Sequence, residues 1–156
     1  MSATAPSAIG HGHRPGPGAL RPFKVGAGGF VLLGTGHLAI AAAAAWGDPT
    51  PEQEASSAAM RATGMTMLGL ERSTLDLVNG MSAVMALFVI SGAALALLAA
   101  RHSPALVERR TAFGWTLLAT SLAGLAISAL FLPPPPIAVL TVTSCAFALS
   151  LRRAAR

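Results

Sequence analysis

Four apolar stretches, charged only at their ends, dominate this chain: about 23–46, 75–100, 112–132 and 134–151. Each of the first three approaches or exceeds the ~20 residues a helix needs to cross the hydrocarbon of a bilayer. The fourth contains "IAVLTVTSCAFALSL", whose 15 residues reach only about 22 Å at 1.5 Å per residue. It therefore has to recruit part of the "PPPP" run, Pro133–Pro136, or thin the bilayer locally. Hydrophobic residues make up 53% of the chain and charged ones 11%, against about a quarter charged in a soluble domain. The expected fold is all-α, a membrane four-helix bundle of two antiparallel hairpins. The first stretch is longer than the 7–15 apolar residues of a signal-peptide core, so a retained helix is expected although "AAAAAW" offers small residues to a peptidase.

Charge placement gives the threading. Arg14, Arg21 and Lys24 precede the first span, Arg101, Arg109 and Arg110 separate the second from the third, and Arg152, Arg153 and Arg156 follow the fourth. The 47–74 loop holds Arg61 and Arg72 against Asp48, Glu52, Glu54 and Glu71. The positive-inside rule then expects both termini in the cytoplasm and this loop outside, in a multi-pass plasma-membrane protein. The net charge of +5 flanks apolar segments without aromatic interleaving, so no nucleic-acid partner is expected. The Arg- and Ala-rich bias, with one lysine, points to a GC-rich bacterial genome and thus a bacterial inner membrane. One cysteine, Cys145, excludes an internal disulfide and any CxxC motif.

Residues 1–22 lack periodicity and are expected to be a disordered arm. Its His11 and His13 are two ligands without a third, so no metal site is implied. The outer loop is more structured. "TPEQE" places Thr50 as N-cap, Pro51 at the first helical position and Gln53 to close a capping box, which predicts a short helix from Pro51 to about Thr63. Gly64 and Gly69 should loosen the chain beyond it, leaving Met60, Met65, Met67 and Leu68 to lie on the membrane or cover the bundle. "STLD", Ser73–Asp76, is a second capping box opening the next span. Ser103-Pro104 is a start for a brief inner helix.

His37 is the one ionisable residue well inside a span. It lies nine residues before Trp46, about 13 Å inward, a depth that the same counting assigns to Thr120, Ser121, Ser128, Ser144 and Cys145. Intramembrane ionisable groups are costly and mark function by default, while a neutral imidazole bonded to a hydroxyl on a neighbouring helix is the packing alternative. Asp76, Asn79 and Ser82 suggest a polar vestibule leading toward His37, although Asp76 also serves the Ser73 cap. Thr116, Thr120, Gly124 and Ser128 recur every four residues as an expected packing face. Gly29, Gly36 and Ala43 recur every seven as another. No GxxxxGK, HExxH or intramembrane carboxylate pair is present, and haem ligation lacks a second membrane histidine, with only Met85 at matching depth. No cofactor is implied.

"GTGHL", Gly34–Leu38, and "ERSTLDLVNGMS", Glu71–Ser82, resemble a group of small bacterial four-helix membrane proteins with no established activity. The matching positions are Gly34, His37, Leu38, Ser73, Asp76, Gly80 and Ser82, covering the first two spans. The resemblance implies the architecture and leaves function open. The expected function is that of a non-enzymatic accessory or binding protein, taking a lipid or quinone near His37, Asn79 and Asp76. Its partners would be the bilayer and a second copy or another membrane protein. One alternative is an oligomeric transporter with His37 as the protonatable group. The other is a membrane enzyme, which lacks a second general acid or base at that depth.

Overall fold

A computed structural model describes residues 18–154. The expected arm's residues 1–17, His11 and His13 among them, lie outside the described residues. The elements are α1 Leu20–Trp46, α2 Pro51–Ala62, β1 Gly64–Met67, β2 Leu70–Ser73, α3 Thr74–His102, α4 Ala105–Glu108, α5 Ala112–Phe131 and α6 Pro134–Arg153. Four of them (α1, α3, α5 and α6) are long and apolar enough to cross a membrane, which makes this a multi-pass membrane protein built as an all-α four-helix bundle. The first span begins at Leu20, so residues 18–22 belong to the bundle and not to the expected arm. Ser150 Oγ donates to Ala19 O at 2.9 Å and Arg153 Nη1 to Gly18 O at 3.2 Å, docking this end of α1 onto the end of α6.

The proline run acts as the short fourth segment requires. Pro133 is the N-cap of α6 and Pro134–Pro136 form its first turn, where missing N–H groups cost no helical hydrogen bond. Far from being marginal, α6 is the most buried span, with Leu140, Thr143, Ala146, Phe147 and Leu151 all covered. It packs on α1 and on α5, while α3 packs on α1. The pairs α1–α3 and α5–α6 are the two antiparallel hairpins, and α1–α6 is the seam between them.

Small residues let that seam close. A Cβ on Gly26 would lie 2.8 Å from the Phe147 ring, and one on Gly29 would collide with Thr143 Oγ1. The Thr143 hydroxyl is buried without a conventional hydrogen-bond partner. It points along the direction a Gly29 Cβ would take, the arrangement of a weak Cα–H···O contact. Phe147 also meets Phe23 and Phe30 at 5.5 and 5.7 Å between ring centroids, and Phe23 meets Phe113 at 5.8 Å. With Val107 of α4 these rings place the core at the end where the chain enters and leaves the bundle.

Two expected packing faces are corrected. Gly36 has open space where its side chain would be, because α1 turns Gly34 and not Gly36 toward α3. Thr116 and Thr120 are exposed, and Thr116 Oγ1 donates to Ala112 O of its own helix at 2.9 Å. The packed face of α5 instead repeats every seven residues through Gly114, Ser121 and Ser128, the period that keeps a seam aligned between crossing helices. Ser144 Oγ donates across it to Ser121 Oγ at 3.0 Å. Of the expected stripe, Gly124 sits 3.6 Å from Leu140, measured from where a Cβ would stand, and Ser128 is buried.

The segment expected to loosen at Gly64 and Gly69 is a β-hairpin. Gly64 pairs with Ser73 and Met67 with Leu70, and the turn residues Leu68 and Gly69 have φ of 51° and 81°. Two consecutive positive φ angles match the right-handed twist of the strands, which a sequence with Leu in place of the usual Asn does not advertise. Thr74 N and Oγ1 both donate to Thr63 O, at 2.8 and 3.1 Å, so the ladder closes against the end of α2.

Three substitutions test this packing. Gly29→Ala should lower bundle stability in detergent by about 1–3 kcal/mol through overpacking, whereas Gly36→Ala should be neutral or slightly stabilising. Leu68→Asn should relieve roughly 1 kcal/mol of left-handed strain, seen as slower amide exchange across 64–73.

Candidate functional site

The site arises where the close packing stops. A Cβ on Gly34 would stand 2.6 Å from Ile90 Cγ1 and 3.0 Å from Ala86 O, so α1 and α3 nearly touch there. Toward Trp46 and Thr74, beyond that contact, neither helix has a fully buried residue. One turn outward, His37 Nε2 and Ser82 Oγ are hydrogen-bonded across the gap. The bond satisfies one ring nitrogen and fixes the ring between the helices.

The depth expected for His37 is corrected by register. With Gly26 against Phe147 and Gly29 against Thr143, continuing the antiparallel alignment brings residues 36–38 level with Pro134–Pro136. His37 therefore stands at the proline-turn margin of the α5–α6 hairpin, within about a turn of the level of Ser128 as expected but well away from Ser121 and Ser144, which bond to each other. The reason is unequal length. α1 and α3 have 27 and 29 residues while α5 and α6 have 20 each, or about 40 and 44 Å against about 30 Å. The longer hairpin projects past the shorter one, so Trp46 does not mark the same height as the proline turn.

His37, Ser82 and Asn79 line a recess of about 770 Å³ between the projecting parts of α1 and α3. Its walls include Leu38, Ala41 and Ala83, and α2 roofs it with Glu54, Ser57 and Arg61. From the sequence Glu54 and Arg61 stand out only as loop charges, and Ser57 does not stand out at all. Their i, i+3, i+7 spacing on a helix already announced by its capping box was the available signal. That box is formed: Gln53 N donates to Thr50 Oγ1 at 3.3 Å and Thr50 N to Gln53 Oε1 at 3.0 Å. Held by this cap and by the hairpin, α2 packs on α3 and brings both charge signs over the mouth.

Asp76 does not join the vestibule expected of it. Six residues on a helix turn through about 600°, leaving Asp76 and Ser82 about 120° apart. Asp76 faces a separate groove with Arg72, and its carboxylate completes the second capping box. Ser73 N and Oγ donate to Asp76 Oδ2 at 3.2 and 2.7 Å, and Asp76 N donates to Ser73 Oγ at 3.1 Å. The recess thus unites His37, Asn79 and Ser82 and excludes Asp76. Among the described residues, no three His, Cys, Asp or Glu side chains gather as a metal-binding set.

What this arrangement can do chemically is offer hydrogen bonds at the edge of an apolar slot. An imidazole, a carboxamide and a hydroxyl present donors and acceptors to a polar head, and the alanine and leucine walls accept an apolar body. Comparison with known protein families, with curated protein sequences and with solved structures finds no match. The geometry itself must carry the functional reading. If His37 and Ser82 hold α1 to α3, a double-mutant cycle of His37→Ala and Ser82→Ala should show coupling of about 0.6–1.7 kcal/mol in detergent unfolding; strict additivity would remove the pair from the account.

Proposed function

We propose that this chain is a non-enzymatic binding protein of a bacterial plasma membrane that holds a small amphipathic molecule, of the quinone or lipid class, in the recess at His37. The observation behind this reading is the polar trio His37, Asn79 and Ser82 set in a recess of about 770 Å³ with alanine and leucine in its walls. That volume lies within the range of ~300–1,000 Å³ found for small-molecule sites. A ring carbonyl or head-group hydroxyl would be met by the Asn79 amide and by the His37 nitrogen not bonded to Ser82. The tail would leave between α1 and α3 toward lipid.

The same reading assigns the orientation. Arg21, Lys24, Arg101, Arg109, Arg110, Arg152 and Arg153 gather at one end of the bundle with Glu108 as their acidic neighbour in sequence, whereas Asp48, Glu52, Glu54, Glu71 and Asp76 occupy the other with only Arg61 and Arg72 beside them. By the positive-inside rule the basic end faces the cytoplasm and the recess opens at the outer leaflet.

The test is titration of the purified protein in detergent with decyl-benzoquinone, followed by quenching of Trp46, which ends α1 beside the recess. Saturable quenching is expected. His37→Ala should weaken it about three- to tenfold, the equivalent of one net hydrogen bond. Ala83→Phe, which fills the recess from an exposed wall position, should abolish it while helix content is retained. Linear, non-saturating quenching that Ala83→Phe leaves unchanged would defeat the proposal.

A further inference from the structure

A second groove, of about 510 Å³, runs along α3 on the side away from the recess. Its outer end is formed by Arg72 of β2 and Asp76 of α3, and its length by Gly80, Met81, Val84 and Met85. Gly80 forms a gap in the helix surface, since a Cβ there would meet nothing within 4 Å. Met81, Val84 and Met85 are 73%, 52% and 53% exposed on a helix apolar enough to cross a membrane. The apolar part of the groove therefore runs parallel to a span, and its charged part sits at the outer end of that span.

The charges are paired in sign and separately available. Asp76 spends Oδ2 on the Ser73 cap, and Oδ1 takes no part in those bonds. Arg72 pairs with Met65 across the hairpin and so lies on the opposite face from Glu71, which pairs with Thr66. One cation and one carboxylate at the head of an open apolar helix face complement a zwitterion. We propose that this groove binds a phospholipid with a primary-ammonium zwitterionic headgroup, phosphatidylethanolamine in type. Its phosphate meets the Arg72 guanidinium, its ammonium donates to Asp76 Oδ1, and one acyl chain lies over Gly80 along Met81, Val84 and Met85.

Headgroup chemistry makes the assignment selective. A guanidinium forms charge-assisted, fork-shaped hydrogen bonds to phosphate oxygens, and an ammonium offers three N–H donors to a carboxylate. A trimethylammonium headgroup has no N–H to donate and holds its charge farther from Asp76. An anionic glycerol headgroup can place its phosphate on Arg72 but brings no cation to Asp76, which leaves that carboxylate facing a net negative lipid. The recess at His37 plays no part in this assignment, so either site can fail without the other.

The experiment is native mass spectrometry of the full chain extracted from vesicles of equal parts phosphatidylethanolamine, phosphatidylcholine and phosphatidylglycerol with matched acyl chains. The ethanolamine lipid should be retained about tenfold over either competitor, the effect of one charge-assisted hydrogen bond. Asp76→Asn, whose amide oxygen still accepts from Ser73, should bring ethanolamine and choline lipids to parity. Arg72→Gln should reduce retention of both. Gly80→Leu should displace the acyl chain and remove the bound lipid with helix content unchanged. Equal retention of all three lipids by the native chain, preference for the glycerol lipid, or an Asp76→Asn variant with undiminished preference would each overturn the assignment.

Discussion

The contact on which the architecture depends is the approach of α1 to α6. Apolar helices in lipid gain nothing from hiding their surfaces from one another, so they associate through close van der Waals fit and the occasional hydrogen bond. Gly26 and Gly29 supply the fit by making room for Phe147 and Thr143, and the Phe23–Phe147–Phe30 rings extend it. Without this seam the molecule would be two separate helical hairpins. With it, the hairpins are locked in one register, and that register decides the height of every side chain on α1 relative to the proline turn.

The recess follows from that locking. The seam aligns the basic ends of the hairpins, where Ser150 and Arg153 meet the carbonyls of Ala19 and Gly18. All the excess length of α1 and α3 therefore emerges at the opposite end. There no third span fills the groove, and apart from Leu38 and Leu75 the residues of α1 and α3 that line it are small or polar. The Thr63–Thr74 closure of the hairpin sets α2 above this gap. A void between two membrane helices thus acquires a polar floor and a charged roof without any residue being forced to place a charge in mid-hydrocarbon.

Much of this was legible in the residues. Length and hydropathy placed all four spans, and the reciprocal Thr50–Gln53 and Ser73–Asp76 patterns placed two helix starts, because capping depends on neighbours three residues apart. Gly29 was legible through its seven-residue spacing with Gly36 and Ala43, although Gly36 of that stripe has open space beside it. Other features depend on partners far along the chain. Whether α5 turns Thr116 or Ser121 toward α6 rests on its rotation, which a nearly uniform apolar helix does not encode. The depth of His37 required knowing which helix ends are level, and the boundary chosen at Trp46 belonged to a projection. The hairpin escaped notice because its left-handed turn is built on Leu68 instead of a residue suited to it. The His37–Ser82 bond joins two polar residues that stand out in apolar stretches, but its geometry depends on the α1–α3 register.

One asymmetry in the layout bears on how a guest of the proposed kind would reach the recess. Among the spans α3 packs chiefly on α1, and its other neighbours are α2, β2 and the short α4. Its Ala93, Ala96 and Ala100 share the aromatic core at the basic end, so only its opposite end, beside the recess, is lightly held. Entry from the side then needs no aqueous portal. A hydrocarbon-soluble guest would arrive by lateral diffusion within the leaflet, at a rate set by its two-dimensional abundance there and insensitive to its scarcity in water.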